Sequence, residues 1–367
     1  MYFLFIIYTM KNIIFTGGGT AGHVTPFFAV APFLKNELNP IFVGRSNGLE
    51  KRMVNGTFEY MSISAPKFYR GIKLSNLAIP FRLISAVSEA KEILKKTNAK
   101  AVFSKGGYVA LPVCLAAFSL NIPVLIHESD FSPGLTTKLT AKKAKFVLTS
   151  FPSCAKKFKN GVCVGPPIRE SLLKKIPDSD NSLLKALRQN NDKKSAYKPV
   201  ILVFGGGSGS KAINEITIKN LNLITTKYDV LHICGDEQII EKTVKHGYHR
   251  VPFVTDMAQA YSAADIVMAR CGSNSAWEIS ARGLPALYIP LKKATRGDQI
   301  QNAKFFTESG AALRADEDTL SGEELLRKLD FLRNNYSSYS LAAKGLFKEN
   351  GAKRIAEILN DVSDEGI

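Results

Sequence analysis

Acidic residues are scarce in this chain. Across 367 residues, 32 Asp and Glu stand against 49 Lys and Arg, a formal net charge of +17 at pH 7. Between Leu135 and Asn160 no acid occurs at all, while Lys138, Lys142, Lys143, Lys145, Lys156, Lys157 and Lys159 accumulate. Such a surplus concerns partners rather than fold: nucleic acid, an anionic membrane or a phosphorylated substrate. A nucleic-acid binding module would leave the residues at the strands' carboxyl ends, described below, without a role. Lys67, Arg70, Lys73 and Arg82 instead flank an apolar stretch containing Ile72, Leu74, Leu77, Ile79 and Phe81, a combination suited to the inner face of a membrane.

Cysteines are few and unpatterned. Cys114, Cys154, Cys163, Cys234 and Cys271 are odd in number and show no CxxC spacing, so most read as small buried residues in a reducing compartment. No apolar run reaches the length of a bilayer. Met1 to Tyr8 is nearly all apolar, yet it is short, lacks a basic start and a small-residue cleavage site, and leads straight into a strand. It reads as an upstream extension rather than an anchor.

What is present is a repeated turn. Lys11 to Phe15 reads as a buried strand and runs into Gly17-Gly18-Gly19-Thr20-Ala21-Gly22-His23, before helical spacing from Phe27 to Leu38. Consecutive glycines let a ligand approach the backbone, and the start of the following helix offers unpaired N–H groups. The same grammar returns where Val200 to Phe204 leads into Gly205-Gly206-Gly207-Ser208-Gly209-Ser210-Lys211 and a helix over Ala212 to Leu223. Gly17, Gly19 and Gly22 fit a GxGxxG spacing, but the next strand ends in Gly44-Arg45, with no acid to hold a ribose. Neither turn ends in GK[ST], so a dinucleotide dehydrogenase and a P-loop ATPase are both set aside.

Strands alternate with helices throughout, the pattern of parallel doubly wound sheets, where ligands bind at the carboxyl ends of strands. Gly106 to Tyr108 and His127 to Asp130 fall at such ends. Gly165-Pro166-Pro167 reads as a hinge, and a second α/β half begins at Val200, giving two similar halves with a cleft between them. Glu323 to Leu332 and Ser340 to Leu359 read as closing helices. In the second half Arg270 to Glu278 offers a glycine turn and a helix start that can present N–H groups to a diphosphate, with Glu278 one turn in to accept from vicinal hydroxyls. The triplets Asp178-Ser179-Asp180 and Asp316-Glu317-Asp318 lie in polar connections and read as solvated loops rather than a metal site.

These segments together resemble the MurG family of bacterial N-acetylglucosaminyltransferases. The carriers are GGTAGHVTP at 18 to 26, GGYVALP at 106 to 112, HESDFSPGL at 127 to 135, GPPIR at 165 to 169, GGGSGSKAIN at 205 to 214, ARCGSNSAWE at 269 to 278 and RGDQIQNA at 296 to 303. The resemblance implies an α/β GT-B fold of two facing Rossmann-like domains, 1–164 and 165–344, with a C-terminal helix at about 345–362 packing back on the first. It implies inverting transfer of N-acetylglucosamine from UDP-GlcNAc to the 4-hydroxyl of undecaprenyl-linked MurNAc-pentapeptide, lipid I to lipid II. It implies no cofactor or metal, a peripheral place on the cytoplasmic side of the cell membrane, and cell-wall synthesis proteins as partners.

Carried over by residue, Glu278 would hold the ribose, Val254 would meet the uracil through its backbone, and Arg169 and Arg270 would sit near the nucleotide. Asp298 and Gln299 would read the sugar, with Ser273 and Asp130 also donor-facing, and Thr20, Ala21 and Gly22 would reach the donor from the first domain. Gly18, Gly19, Gly106, Gly107 and Tyr108 would face the acceptor. Two departures stand out: Gly207, followed by Ser208, replaces a frequent phosphate-binding serine, and Asp130 replaces a frequent asparagine. Transfer needs a base, and His23 is nominated because it alone of five histidines sits on the first glycine turn; His127 with Glu128 is the second candidate. A UDP-sugar epimerase of the same architecture, which needs no lipid acceptor, is the rival reading.

Overall fold

Every ladder between the named strands is parallel, and the strands form two sheets. In the computed structural model, which describes residues 10–67, 78–189, 198–207, 209–235, 245–292 and 297–365, the chain divides into two compact units. The first comprises Met1–Arg169 with Glu349–Ile367, and the second Glu170–Lys348. Residues 1–9, Arg70, Ile72, Lys73, Leu74, Leu77, Ser208 and Arg296 lie outside the described residues.

The first unit holds β1 (Lys11–Thr16), β2 (Leu38–Arg45), β3 (Glu59–Ile63), β4 (Ala101–Ser104), β5 (Val124–Glu128), β6 (Phe146–Thr149) and β7 (Gly161–Cys163), in the order β3-β2-β1-β4-β5-β6-β7. The second holds β8 (Val200–Phe204), β9 (Asp229–Ile233), β10 (Tyr248–Val251), β11 (Ile266–Ala269), β12 (Ala286–Tyr288) and β13 (Ala312–Arg314), in the order β10-β9-β8-β11-β12-β13. The winding reverses between β1 and β4 and again between β8 and β11. Those two switch points are where open α/β sheets leave a crevice at the strands' carboxyl ends. Thr16 pairs in register with Ser104, and Phe204 with Ala269, so the loops after each pair start at the same level.

Alternation along β1 explains why its strand is so apolar. Ile13 and Phe15 enter one core cluster and Ile14 the cluster on the other side of the sheet, all fully buried. Phe27 stacks on Phe15 at 4.8 Å and meets Phe42 and Phe103 edge-on at 5.1 and 5.5 Å, a rigid aromatic floor under the first glycine turn.

The last helix, Gly351–Asp364, closes the first unit. Ala352, Ile355, Ala356, Ile358, Leu359 and Val362 join the cluster around Phe27, and burial of each larger side chain is worth roughly 1.5–3 kcal/mol. Asn350 fastens its start: Oδ1 accepts from Ile168 N at 3.0 Å and Nδ2 donates to Ile168 O at 2.7 Å. These bonds place Gly165 to Arg169 with the first unit.

Two helical readings change. The segment Phe27 to Leu38 is not one helix: Thr25–Val30 is followed by a 3-10 turn at Ala31–Phe33 containing Pro32, and Leu38 already opens β2. Ser340 to Leu359 splits into helices Tyr336–Leu346 and Gly351–Asp364, because the chain passes between units at Lys348 and Glu349 and Asn350 caps a new start. Among the described residues no helix is long and apolar enough to cross a membrane.

Candidate active site

In the first unit two glycine turns meet across the switch point. A Cβ on Gly107, whose φ is +77°, would stand 2.5 Å from Gly18 O and 3.3 Å from His23 Nδ1, so only glycine permits the approach. Gly19, Thr20 and Gly22 are exposed, while Ala21 and His23 are half-buried. His23 closes the short 3-10 turn Ala21–His23, with its Nδ1 3.1 Å from Thr20 Oγ1. If Nδ1 carries the proton and donates it to Thr20, the basic lone pair belongs to Nε2. Gly106 precedes the helix Gly107–Ser119, and the Tyr108 ring lies beside Gly19.

Glu50, a residue the sequence reading passed over, holds this turn from beneath. It is 1% exposed; Oε1 accepts from Arg45 N at 3.0 Å and Oε2 from Gly19 N at 3.5 Å. A Cβ on Gly18 would come within 2.8 Å of its carboxylate. Lys105 was also unassigned. Its buried Nζ lies 2.5 Å from His127 Nδ1, 2.6 Å from Ser129 Oγ and 3.4 Å from His127 O. Burial pulls its pKa down to about 8, against the attraction of Glu128 and Asp130.

This arrangement removes His127 and Glu128 as base candidates. His127 is 1% exposed, with Nδ1 committed to Lys105 and Nε2 directed to Gly165 O at 3.5 Å. Burial first, then the Lys105 cation, push its pKa well below the ordinary histidine value, against the Gly165 contact. Glu128 spends its oxygens on the loop that follows: Oε1 accepts from Asp130 N, and Oε2 from Gly134 N and Thr137 Oγ1. Both residues shape the segment that carries Asp130, which is half-buried.

The second unit repeats the arrangement at β8 and β11. Gly206 has φ +92° and faces open space, followed by exposed Gly207. Ser210 caps the helix Lys211–Lys219, accepting from Ile213 N. The helix Ser273–Ala281 begins after Gly272, an N-cap with no side chain of its own to bond the first turn, and a Cβ on Gly272 would meet nothing within 4 Å. A helix start of this kind accepts an anion, and Ser273 is its first residue. Glu278 is half-buried, and its Oε2 accepts from the Tyr261 hydroxyl at 2.8 Å. Gln299 Oε1 accepts from Leu291 N at 2.9 Å and Asn302 Nδ2 donates to Cys271 O at 3.2 Å, tying the helix Asp298–Glu308 to both neighbouring loops. Asp298 opens that helix. Val254 is half-buried in the segment after β10, next to exposed Phe253, and half-buried Arg169 ends the first unit.

Arg270 is a brace. It is 6% exposed, and donates Nε to Ser210 Oγ at 3.1 Å and Nη1 to Ile289 O at 2.9 Å, while Nη2 pairs with Glu317 at 2.6 Å. The reading of the Asp316–Asp318 triplet as solvated therefore fails at Glu317, whose side chain is 14% exposed; Asp316 and Asp318 flank it on Lys292.

Two parallel doubly wound units, each with glycine turns at its switch point, are the architecture of the GT-B glycosyltransferases. Residues 13–149 match the glycosyltransferase family 28 N-terminal domain and residues 200–359 its C-terminal domain. A UDP-N-acetylglucosamine--N-acetylmuramyl-(pentapeptide) pyrophosphoryl-undecaprenol N-acetylglucosamine transferase of Clostridium botulinum (strain Langeland) is 39% identical over 357 residues, 95% of this chain and 99% of the relative. The protein of the same name from Clostridium tetani is 38% identical, with 95% and 97% covered. The crystal structure of Acinetobacter baumannii MurG superposes with a TM-score of 0.73 at 27% identity, covering 96% of this chain and 99% of that one. The calicheamicin glycosyltransferase CalG4, at 12% identity and a TM-score of 0.69, shares the fold. The chain belongs to the MurG family of GT-B glycosyltransferases.

Proposed function

We infer that this chain transfers N-acetylglucosamine from UDP-GlcNAc to the N-acetylmuramyl unit of a pentapeptide-bearing, pyrophosphoryl-undecaprenol-linked acceptor, making lipid II from lipid I. The observation that carries it is end-to-end kinship at 39% identity with proteins bearing that activity, in a fold whose two switch points both carry ligand-ready turns.

In the proposed reaction the acceptor's 4-hydroxyl attacks the anomeric carbon opposite UDP. The C1–O4 bond forms as the bond to the diphosphate breaks, giving a β linkage, and His23 Nε2 takes the hydroxyl proton. The leaving diphosphate is received by backbone N–H groups at Gly205 to Gly207 and at the Ser273 helix start. Glu278, oriented by Tyr261, binds the ribose; Val254 meets the uracil through its backbone; Asp298 and Gln299 contact the sugar. Ser208, Arg169, Thr20, Ala21, Gly22 and Asp130 are also assigned to the donor. Gly18, Gly19, Gly106, Gly107 and Tyr108 receive the acceptor.

The first unit is proposed to rest on an anionic leaflet. Phe81 and Ile84 on the helix Ile79–Lys96 and Leu135 and Leu139 on the helix Leu135–Thr140 are all exposed, as are the cations Lys138, Lys142 and Lys143. The deciding experiment is transfer of labelled N-acetylglucosamine to a short-chain prenyl analogue of lipid I. Consumption of UDP-GlcNAc without acceptor, yielding an epimer, would replace this reading.

A further inference from the structure

The first unit contains a cavity of ≈ 470 Å³ that none of the site residues above lines. Its walls are Arg45, Ser46, Ser64, Lys67, Arg82 and Ser85, together with Ile63, Ala65 and Pro66. Three cations and three serine hydroxyls are among the described residues that line it, and no carboxylate is among them. Glu89 contacts two of the lining residues, its oxygens accepting from Ser64 N at 2.6 Å and Ser85 Oγ at 3.3 Å, which braces the exit of β3 against the helix Ile79–Lys96. The volume is that of a small-ligand site, and the charge calls for an anion.

Its position identifies the anion. On one side Arg45 Nη1 donates to the Tyr108 hydroxyl at 2.9 Å, and the Tyr108 ring borders Gly19 on the glycine turn. On the other side Arg82 and Ser85 share their helix with Phe81 and Ile84, which are 77% and 68% exposed. The order of environments is therefore exposed apolar surface, basic cavity, glycine turn. The acceptor presents its parts in the matching order: prenyl chain, pyrophosphoryl group, amino sugar.

We propose that Arg45, Lys67 and Arg82 form the subsite for the acceptor's pyrophosphoryl group, an assignment that rests on the acceptor inferred above. The Arg45 guanidinium bridges the diphosphate and Tyr108, setting the distance between the anionic group and the sugar at the turn. Lys67 and Arg82, at the outer rim, hold the charge where the prenyl chain departs toward the membrane.

The test is steady-state kinetics on the full chain with a water-soluble, short-prenyl acceptor and no vesicles. Lys67→Gln with Arg82→Gln is expected to raise the acceptor KM about tenfold, while kcat and the UDP-GlcNAc KM stay within about twofold of wild type. Inorganic pyrophosphate, at saturating UDP-GlcNAc, is expected to compete with the acceptor in wild type and to weaken by the same factor in the double variant. Arg45→Lys, which keeps charge but loses the planar fork, should fall between wild type and Arg45→Gln. Transfer with an unchanged acceptor KM in the double variant overturns the subsite alone. So does a loss confined to binding of phosphatidylglycerol vesicles, which would assign these cations to the membrane surface. A wild-type chain that transfers nothing overturns the acceptor assignment and the subsite with it.

Discussion

Lys105 Nζ and His127 Nδ1 lie 2.5 Å apart in a site that is 3% and 1% exposed at the two residues. Nδ1 must accept from the ammonium, so the imidazole proton sits on Nε2, directed to Gly165 O. Burial disfavours the charged form of both side chains, so each holds its proton less readily than in water, Lys105 against the attraction of Glu128 and Asp130.

That resistance links stability to pH. The unfolded chain binds more protons than the folded one between about 8 and 10.5 on account of Lys105, and below 6.5 on account of His127. Stability therefore rises with pH through each window, and the Lys105 penalty, on the order of 3 kcal/mol, is fully present below about pH 8. Urea titrations at pH 7.5 and 10.5 should show a larger gain for wild type than for Lys105→Met. Parallel gains would contradict the assignment.

His23→Ala should lower kcat by about 10²- to 10⁴-fold with little change in the UDP-GlcNAc KM, as loss of a general base does. Thr20→Val removes the hydroxyl that Nδ1 contacts and should cost about tenfold, because one restraint on the orientation of the ring is lost. An alanine variant turning over at the wild-type rate would exclude His23 from the chemistry.

Glu50 anchors two backbone N–H groups that sequence places 31 and five positions away. In Glu50→Gln the new amide points a donor at one of them, a cost of about 1–3 kcal/mol. A fall in the urea midpoint with unchanged slope is expected, with reduced turnover as the Gly19 turn loosens. Wild-type stability in this variant would mean the buried contacts carry little.

Tyr261 is 1% exposed and reaches the proposed ribose ligand Glu278 through its hydroxyl. Tyr261→Phe should raise the UDP-GlcNAc KM about three- to tenfold and spare kcat, and Glu278→Ala should raise it further. Donor titration by calorimetry checks both; equal affinities in all three proteins would remove the pair from the donor site.

Much of the architecture was legible beforehand because its determinants are local. The apolar run Val200 to Phe204 is a strand buried throughout, and the glycines after it take positive φ at Gly206 and Gly209. Reading Phe27 to Leu38 as one helix failed because apolar spacing alone does not register the stop imposed by Pro32. The break before Gly351 was hidden for another reason: Asn350 finds its partner 182 positions back, at Ile168.

The alternation of strands and helices, the glycine turns at the strands' carboxyl ends and the family itself were written in the sequence, since hydrophobic period and positive-φ requirements act over a few neighbouring residues. Which carboxylate sits under the first turn, which lysine silences His127 and which arginine braces the second unit were decided only by the crossovers of the fold. Those crossovers bring Glu50 to Gly19, Lys105 to His127 and Arg270 to Glu317, and buried charges take their roles from such distant partners rather than from adjacent residues.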